Sequence, residues 1–371
     1  MAIFSLRRQR WIVAIVSAVL VVVVAAYLAT PYVIKNYLND NVLNNVGDYH
    51  GYVEDVDVNL LKGAYKLQDV YLYRKEGNAD IPFFYVASFY IALSWDALME
   101  GAILVSARLV DPEVNFLDAE REEDKQTGEG TNWLEVFDRT LPTTLHELVI
   151  ANGSVTFQNF DTDPKVNIYT KNIDAKLTNL TNIKDRHGER VATADFNGVI
   201  LENAPISASA EFDPFNFDDF MFATEIRKIA LIHVNDFDQA YGNIDFESGE
   251  GELFVELKAE NGKLSGYIKP LFEDVNVLSW KQDVEQQNDN PLKLAWEGAL
   301  GFFQTLLTSP RTDKVATEVP IEGTMSQTEI NNWQAFFGLI KNAFIDAVES
   351  NFEQVTALTG DDKNGGDDEE G

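Results

Sequence analysis

Side chains able to do chemistry are plentiful in this chain, but their spacing does not arrange them to do it. The four histidines, His50, His146, His187 and His233, are scattered. None has a partner at the HExxH spacing that puts two imidazoles on one helix face to hold zinc. There is no GxSxG nucleophile turn and no GxxxxGK[ST] phosphate loop. Gly128 with Gly130, and Gly249 with Gly251, fall in polar stretches that read as loops. Asp161 with Asp163, and Asp218 with Asp219, offer oxygen ligands, but a calcium loop needs spaced ligands around a central glycine and a terminal glutamate, which neither region has. They read as solvated turn carboxylates. Asn152-Gly153-Ser154 and Asn179-Leu180-Thr181 match the glycosylation sequon, and the first also reads as a hairpin turn. The expectation is a protein that is not an enzyme, with no catalytic residues, no metal and no cofactor.

Composition narrows the remaining classes. The 60 Asp and Glu against 29 Lys and Arg give a formal net charge of -31 over 371 residues. Phosphate recognition needs clustered basic side chains, so a nucleic-acid partner is excluded. Broad attraction to anionic headgroups is disfavoured for the same reason. The charge reads as solubility in a salty habitat, with an acidic binding surface as the alternative. Cysteine is absent, which removes thiol chemistry and requires the domain to fold without disulfides, as a chain of this size can.

The elements begin with an anchor. Residues 1–10 carry Arg7, Arg8 and Arg10, and 11–30 form an almost unbroken apolar run with Trp11 and Tyr27 near its ends. About 20 apolar residues span a bilayer, interfacial aromatics mark its borders, and the basic flank stays in the cytoplasm. A cleaved signal peptide is the competing reading, but its apolar core would be shorter, and Tyr27, Leu28 and Thr30 crowd the place of a small-x-small site. No cysteine follows the run to carry a lipid.

In 31–47, Val33, Ile34, Tyr37, Leu38, Val42 and Val46 recur at helical spacing. This amphipathic helix either lies on the membrane or covers the first edge of a sheet, and edges need covering. Over 48–325 the period becomes two. Val56, Val58 and Leu60 alternate with acids and an asparagine; Ile173, Ala175 and Leu177 repeat the pattern, as do Ile206 to Phe212 and Leu253 to Leu257, where Phe254 interrupts the polar side. Asn152-Gly153 and Asn261-Gly262 read as tight hairpins. The fold class is therefore mainly β: a long, curved antiparallel sheet with one apolar face and a few amphipathic helices capping it. Residues 118–131 read as a flexible surface loop and 281–291 as a second polar break. A helix over 292–307, an amphipathic helix over 326–355 opened by the Ser326/Glu329 capping box, and an acidic disordered tail over 356–371 complete the reading.

Taken together, the signal-anchor, the short amphipathic helix, YVEDVDVNLLKGAYKLQDVYLY read as a strand, ILVSARLVDPEVNFLDA, TNWLEVF, LPTTLHELVIANGSVTFQNF and the C-terminal GLIKNAFIDAV resemble the AsmA-like envelope proteins of bacteria, and within them a domain family of unknown function. The resemblance implies a single-pass inner-membrane protein with a periplasmic β-groove, similar in principle to the chorein-like bridges that carry lipid between membranes. Its implied partners are membrane phospholipid, the inner membrane itself and envelope proteins.

A sheet with one apolar face can curl into a trough that shields acyl chains while headgroups stay wet. Roughly a dozen strands at about 4.8 Å spacing make a groove on the order of 60 Å long. Its expected lining is Val56, Val58, Leu60, Val155, Phe157, Ile173, Leu177, Ile206, Phe212, Leu253, Val255 and Leu257. Ordinary core packing is the alternative for any one of them. Two functions follow: shielding or transfer of phospholipid for envelope biogenesis, or a scaffold with a closed β core that recruits protein partners by its acidic surface or a free edge.

Overall fold

The computed structural model describes residues 2–59, 62–77, 80–99, 104–128, 144–181, 191–213, 216–242, 244–280, 314–316 and 318–324. The protein is mainly β. Its strands are β1 (Tyr49–Asn59), β2 (Ala64–Arg74), β3 (Phe84–Leu93), β4 (Val105–Asp118), β5 (Thr144–Asn159), β6 (Val166–Thr181), β7 (Ala192–Ile200), β8 (Ala204–Asp213), β9 (Asn216–Ala230), β10 (Ile244–Glu260), β11 (Lys263–Trp280), β12 (Lys314–Ala316) and β13 (Val319–Thr324). They form one open curved sheet in which each strand up to β11 lies beside its predecessor, while β12 and β13 share the far side of β11. Helix α1 (Ala2–Tyr37) precedes the sheet, and the short α2 (Trp95–Met99) joins β3 to β4. The expected helices over 292–307 and 326–355, the break at 281–291 and the tail over 356–371 lie outside the described residues.

The expected anchor and amphipathic helix are joined. Helix α1 runs through Pro31 to Tyr37 and continues as a wider π-helical turn over Leu38–Leu43. It is long and apolar enough to cross a membrane, and its residues from Trp11 to Leu28 are exposed. Its last turns do cover the sheet edge. Asn39 accepts from the Val53 amide at 2.8 Å and donates to the Val53 carbonyl at 3.2 Å, and Lys35 Nζ donates to the Glu54 carbonyl. These are backbone groups on the side of β1 away from β2, which an edge strand leaves without a ladder. Ile34, Leu38 and Val42 pack beside them on a core of Leu43, Val46, Val53, Val56, Leu67 and Val70.

Pairing is antiparallel throughout except between β4 and β5, which run parallel. A parallel neighbour needs a crossover rather than a turn, and the segment expected as a loose loop supplies the start of it. Asp118 belongs to β4, and the chain then doubles back so that Leu117 and Gln126 exchange backbone hydrogen bonds at 2.9 and 2.7 Å. Gln126 is buried, its Nε2 donates to the Asn115 carbonyl at 2.8 Å, and the Gly128 amide donates to the Tyr49 hydroxyl at 3.0 Å. Residues 129–143 lie outside the described residues.

Two turn readings separate here. Asn261 and Gly262 both have positive φ, 51° and 73°, and close the β10–β11 hairpin, as a primed turn demands. At Asn152-Gly153 only Asn152 does, with φ 55°, and β5 continues through it with a shifted register on β6. This is a bulge, not the expected hairpin. The stretch YVEDVDVNLLKGAYKLQDVYLY, expected as one strand, is the β1–β2 pair turned near Gly63 (φ 60°). Gly249 and Gly251, expected in a loop, lie inside β10 under Leu231, where an added Cβ on Gly249 would stand 3.0 Å from both Leu231 and the backbone of Val275.

The edge contact yields a test. Asn39→Leu keeps volume but removes two hydrogen bonds, each contributing about 0.5–1.5 kcal/mol, so unfolding stability should fall by about 1–3 kcal/mol. Hydrogen exchange should show faster exchange at the Val53 amide in that variant.

Candidate functional site

Alternation along each strand, combined with the pairing, sorts the sheet into two unlike faces. One register row crosses the sheet as Val58, Tyr65, Ile91, Ala107, Leu148, Leu177, Ala194, Ala210, Phe222, Leu257, Gly266 and Ile321. Two residues along each strand, the next row on the same face reads Val56, Leu67, Phe89, Leu109, Ile150, Ala175, Phe196, Ala208, Thr224, Val255, Ile268 and Val319. Thr224 is the one side chain with a hydroxyl in this second row, and its Oγ1 donates to the Ser207 carbonyl at 2.9 Å. The row between them, on the opposite face, reads Asp57, Lys66, Tyr90, Arg108, Val149, Lys176, Asp195, Ser209, Ala223, Glu256, Tyr267 and Pro320. The candidate site is therefore a largely apolar face that crosses from β1 to β13, over a contour on the order of 50 Å at about 4.8 Å per strand.

A line of left-handed residues lets that face continue along the strands. Asp69, Asp111, Asn152, Asn172, Lys228 and Asp274 have φ between 51° and 55° within β2, β4, β5, β6, β9 and β11. Asp and Asn tolerate this conformation better than other residues with a Cβ. Each shifts the alternation by one. In β2, Leu67 before Asp69 and Val70 and Leu72 after it are all buried; in the neighbouring β3, Val86 and Ile91 are buried five residues apart. The shifts form a transverse crease, and bulges bend the strands that carry them. At the crease Gly153 lies against Ile150, Pro112 and Ile173, so the apolar surface is continuous across it.

The expected lining residues fall on this face, yet they do not surround one cavity. Val56 is buried and Val58 half-buried in the core near α1. Phe212 and Leu257 are buried in a second cluster with Phe220, Ala259, Leu264, Ile268 and Ile321, against which half-buried Leu253 and Val255 pack. Ile173 is buried at the crease, Leu177 and Ile206 are half-buried, and Val155 and Phe157, beyond the crease, pair with Val114 and Phe116. Leu60 lies outside the described residues. Of the expected anchor residues, Arg7, Arg8, Arg10, Trp11 and Tyr27 all belong to α1, and Trp11 and Tyr27 are exposed. Phe89, Leu109, Ile150 and Phe222 share the face but escaped the sequence reading. Their signal was present as alternation, broken by the bulges.

Among the described residues, one connection crosses the apolar face. Residues 231–242, between β9 and β10, form a series of short helical turns. Asn235 fastens them by accepting from the Phe246 amide at 2.9 Å and donating to its carbonyl at 2.8 Å. Leu231 is buried over Gly251, and Phe237 meets Phe157 edge-on at 6.3 Å between ring centres. Asp238 is carried into the same apolar surroundings, which push its carboxyl up from 3.8 to about 7.

The polar face holds ordinary surface chemistry. Tyr52, Tyr71 and Tyr73 stack across β1 and β2, and the Tyr85 hydroxyl donates to Asp69 at 2.9 Å; burial and that bond push the Tyr85 phenol up. Phe254, which interrupts the acidic pattern of β10, lies under the Arg227 guanidinium at 5.1 Å. Asp111, Glu113, Asn152, Ser154 and Lys171 line a shallow polar depression there. Asp219 accepts from the Asn261 amide at 2.9 Å, and Asp161 accepts from the Glu120 amide at 3.0 Å, so both acidic pairs serve turns. Among the described residues no group of three acids or histidines is placed to hold a metal ion.

Comparison of the chain with protein-family models and with curated proteins returns no match. Asp238 supplies a pH signature of the connection. Its raised value means the folded state resists ionising it, so this destabilisation is absent below 3.8, grows as pH rises and levels off above about 7. Asp238→Asn should melt higher than the parent, by a margin that widens between those limits; thermal melts at several pH values check it.

Proposed function

We propose that this is a non-enzymatic protein held in a bacterial inner membrane by α1, whose sheet lies in the periplasm and shields or transfers phospholipid for envelope biogenesis. The observation that carries the reading is the apolar face itself. Two adjacent rows of apolar side chains run the width of a single sheet. Several of their members, including Val58, Leu177 and Val255, are only half-buried. Apolar area left accessible at about 25 cal/mol per Å² favours an occupant, and acyl chains match it in chemistry and in length of contact. The polar opposite face, which carries Asp57, Lys66, Arg108, Lys176, Asp195 and Glu256, would stay in water. The AsmA-like resemblance of the sequence points the same way. The orientation rests on the basic residues before the apolar run.

A scaffold with a closed β core is the second reading. It is favoured by the tight cluster around Phe212, Phe220 and Leu257 and by the connection that lays Phe237 on Phe157. Native mass spectrometry and lipid extraction on the region from Tyr32 to Thr359, freed of the membrane helix, separate the two. Stoichiometric phospholipid supports the groove, whereas a stable lipid-free domain favours the scaffold.

Two substitutions sharpen the test. Val255→Glu puts a carboxylate on a half-buried position and should lower bound lipid severalfold while the domain still folds. Leu257→Glu places it in the buried cluster and should cost about 3–5 kcal/mol of stability, as uncompensated buried charges do. Equal destabilisation by both, with lipid content unchanged in Val255→Glu, would count against lipid binding.

A further inference from the structure

Helix α1 fixes which end of the first strands looks toward the bilayer. It runs antiparallel to β1, with Asn39 at Val53, Lys35 at Glu54 and the Tyr27 hydroxyl 3.4 Å from the Val58 carbonyl. Going backward along the helix thus means going forward along β1. The exposed residues from Trp11 to Ala26 extend past Val58, beyond the end of β1 that meets the start of β2. At 1.5 Å per residue that stretch is about 24 Å long, most of a hydrocarbon core.

The β3–β4 connection emerges from the same end. Tyr65 pairs Val58 with Ile91, so Leu93 lies beyond the level of Val58. The Leu93 amide donates to the Gly63 carbonyl at 2.9 Å, and the Trp95 indole packs so closely on Gly63 that an added Cβ would stand 2.9 Å from its nitrogen. Helix α2 begins there. Its single buried residue is Ala97. Trp95, Leu98 and Met99, at i, i+3 and i+4, share one side of the helix and are 43, 38 and 80% exposed. Three large apolar side chains presented together, one of them tryptophan, are unfavourable in water and suited to the headgroup boundary.

We infer that α2 is a second membrane contact, in which Trp95, Leu98 and Met99 enter the bilayer interface beside the anchor and set the first strands of the apolar face against the lipid surface. The partner is the lipid surface itself, and the argument is continuity: the patch lies at the end of the sheet from which the apolar helix projects. The inference rests on α1 spanning the membrane. Its consequence is that lipid would reach the apolar face near Ile91 and Leu93 without crossing open water.

The chain has no cysteine, so single reporters can be placed in the full-length protein reconstituted in phosphatidylethanolamine and phosphatidylglycerol vesicles. Met99→Cys carries an environment-sensitive fluorophore. Val19→Cys in α1 and Ile232→Cys, exposed at the opposite end of β9, serve as references. The expected result is blue-shifted emission at position 99, quenching by lipids with a nitroxide near the headgroup, and iodide quenching lowered about threefold relative to position 232, as for a residue at the interface. Iodide access at 99 equal to that at 232, with position 19 protected, would overturn the contact and leave the anchor standing. Iodide access at position 19 would overturn the anchor, and the contact with it.

Discussion

Side chains on a β-strand alternate strictly between two faces, and the rest of this molecule depends on obeying that rule over a very wide sheet. A slip of one residue would turn a whole strand's apolar set into water. Strands of up to 18 residues, bent into a curved sheet, need bulges, and each bulge threatens the alternation. Placing Asp69, Asp111, Asn152, Asn172 and Asp274 in the left-handed conformation answers both demands. The neighbours β4, β5 and β6 carry these residues side by side, and in β2 the apolar residues on either side, Leu67 and Val70, are both buried.

The two ends of the sheet are handled differently. At β1 the covering element is the continuation of α1, which matches free backbone groups with Asn39 and Lys35 and adds apolar contact through Ile34, Leu38 and Val42. The long apolar helix is therefore coupled directly to the first strand rather than tethered by a linker. At β11 the partner strand is split between β12 and β13, with β13 contributing buried Val319 and Ile321 to the second core cluster. Midway, the 231–242 connection rests on the apolar face at the crease.

On the proposed reading, function is a property of a surface rather than of a few residues. Among the described residues the acids are spread over turns and the polar face. Shielding of apolar matter needs only that a face be continuous, accessible and long, with polar chemistry kept on the other side. The register rows are continuous and long from β1 to β13, buried at Val56, Ile91, Leu257 and Ile321 and half-buried at Val58, Leu177 and Val255.

The sequence alone determined the apolar helix and the mainly β character, because both are written as local periodicity: an unbroken apolar run, and alternation in stretches such as Val56 to Leu60 and Leu253 to Leu257. Alternation also assigns faces without knowing the partner strand, so Val56, Val58, Leu253, Val255 and Leu257 could be grouped on one face before their partners were known. Tertiary structure decided what local pattern cannot hold. Asn-Gly is a turn at 261–262 and a bulge at 152–153; only pairing with β4 on one side and β6 on the other distinguishes them. The parallel β4–β5 pair is likewise set by a crossover in which Gln126 is buried against Leu117, a contact that a polar, charged stretch gave no reason to expect. The anchor over 11–30 and the amphipathic helix over 31–47 are also one continuous element, α1 running through Pro31 to Tyr37, with Ile34 packed on the core of the first strands. Long-range pairing chooses among local options, and the choice is made by what each option buries.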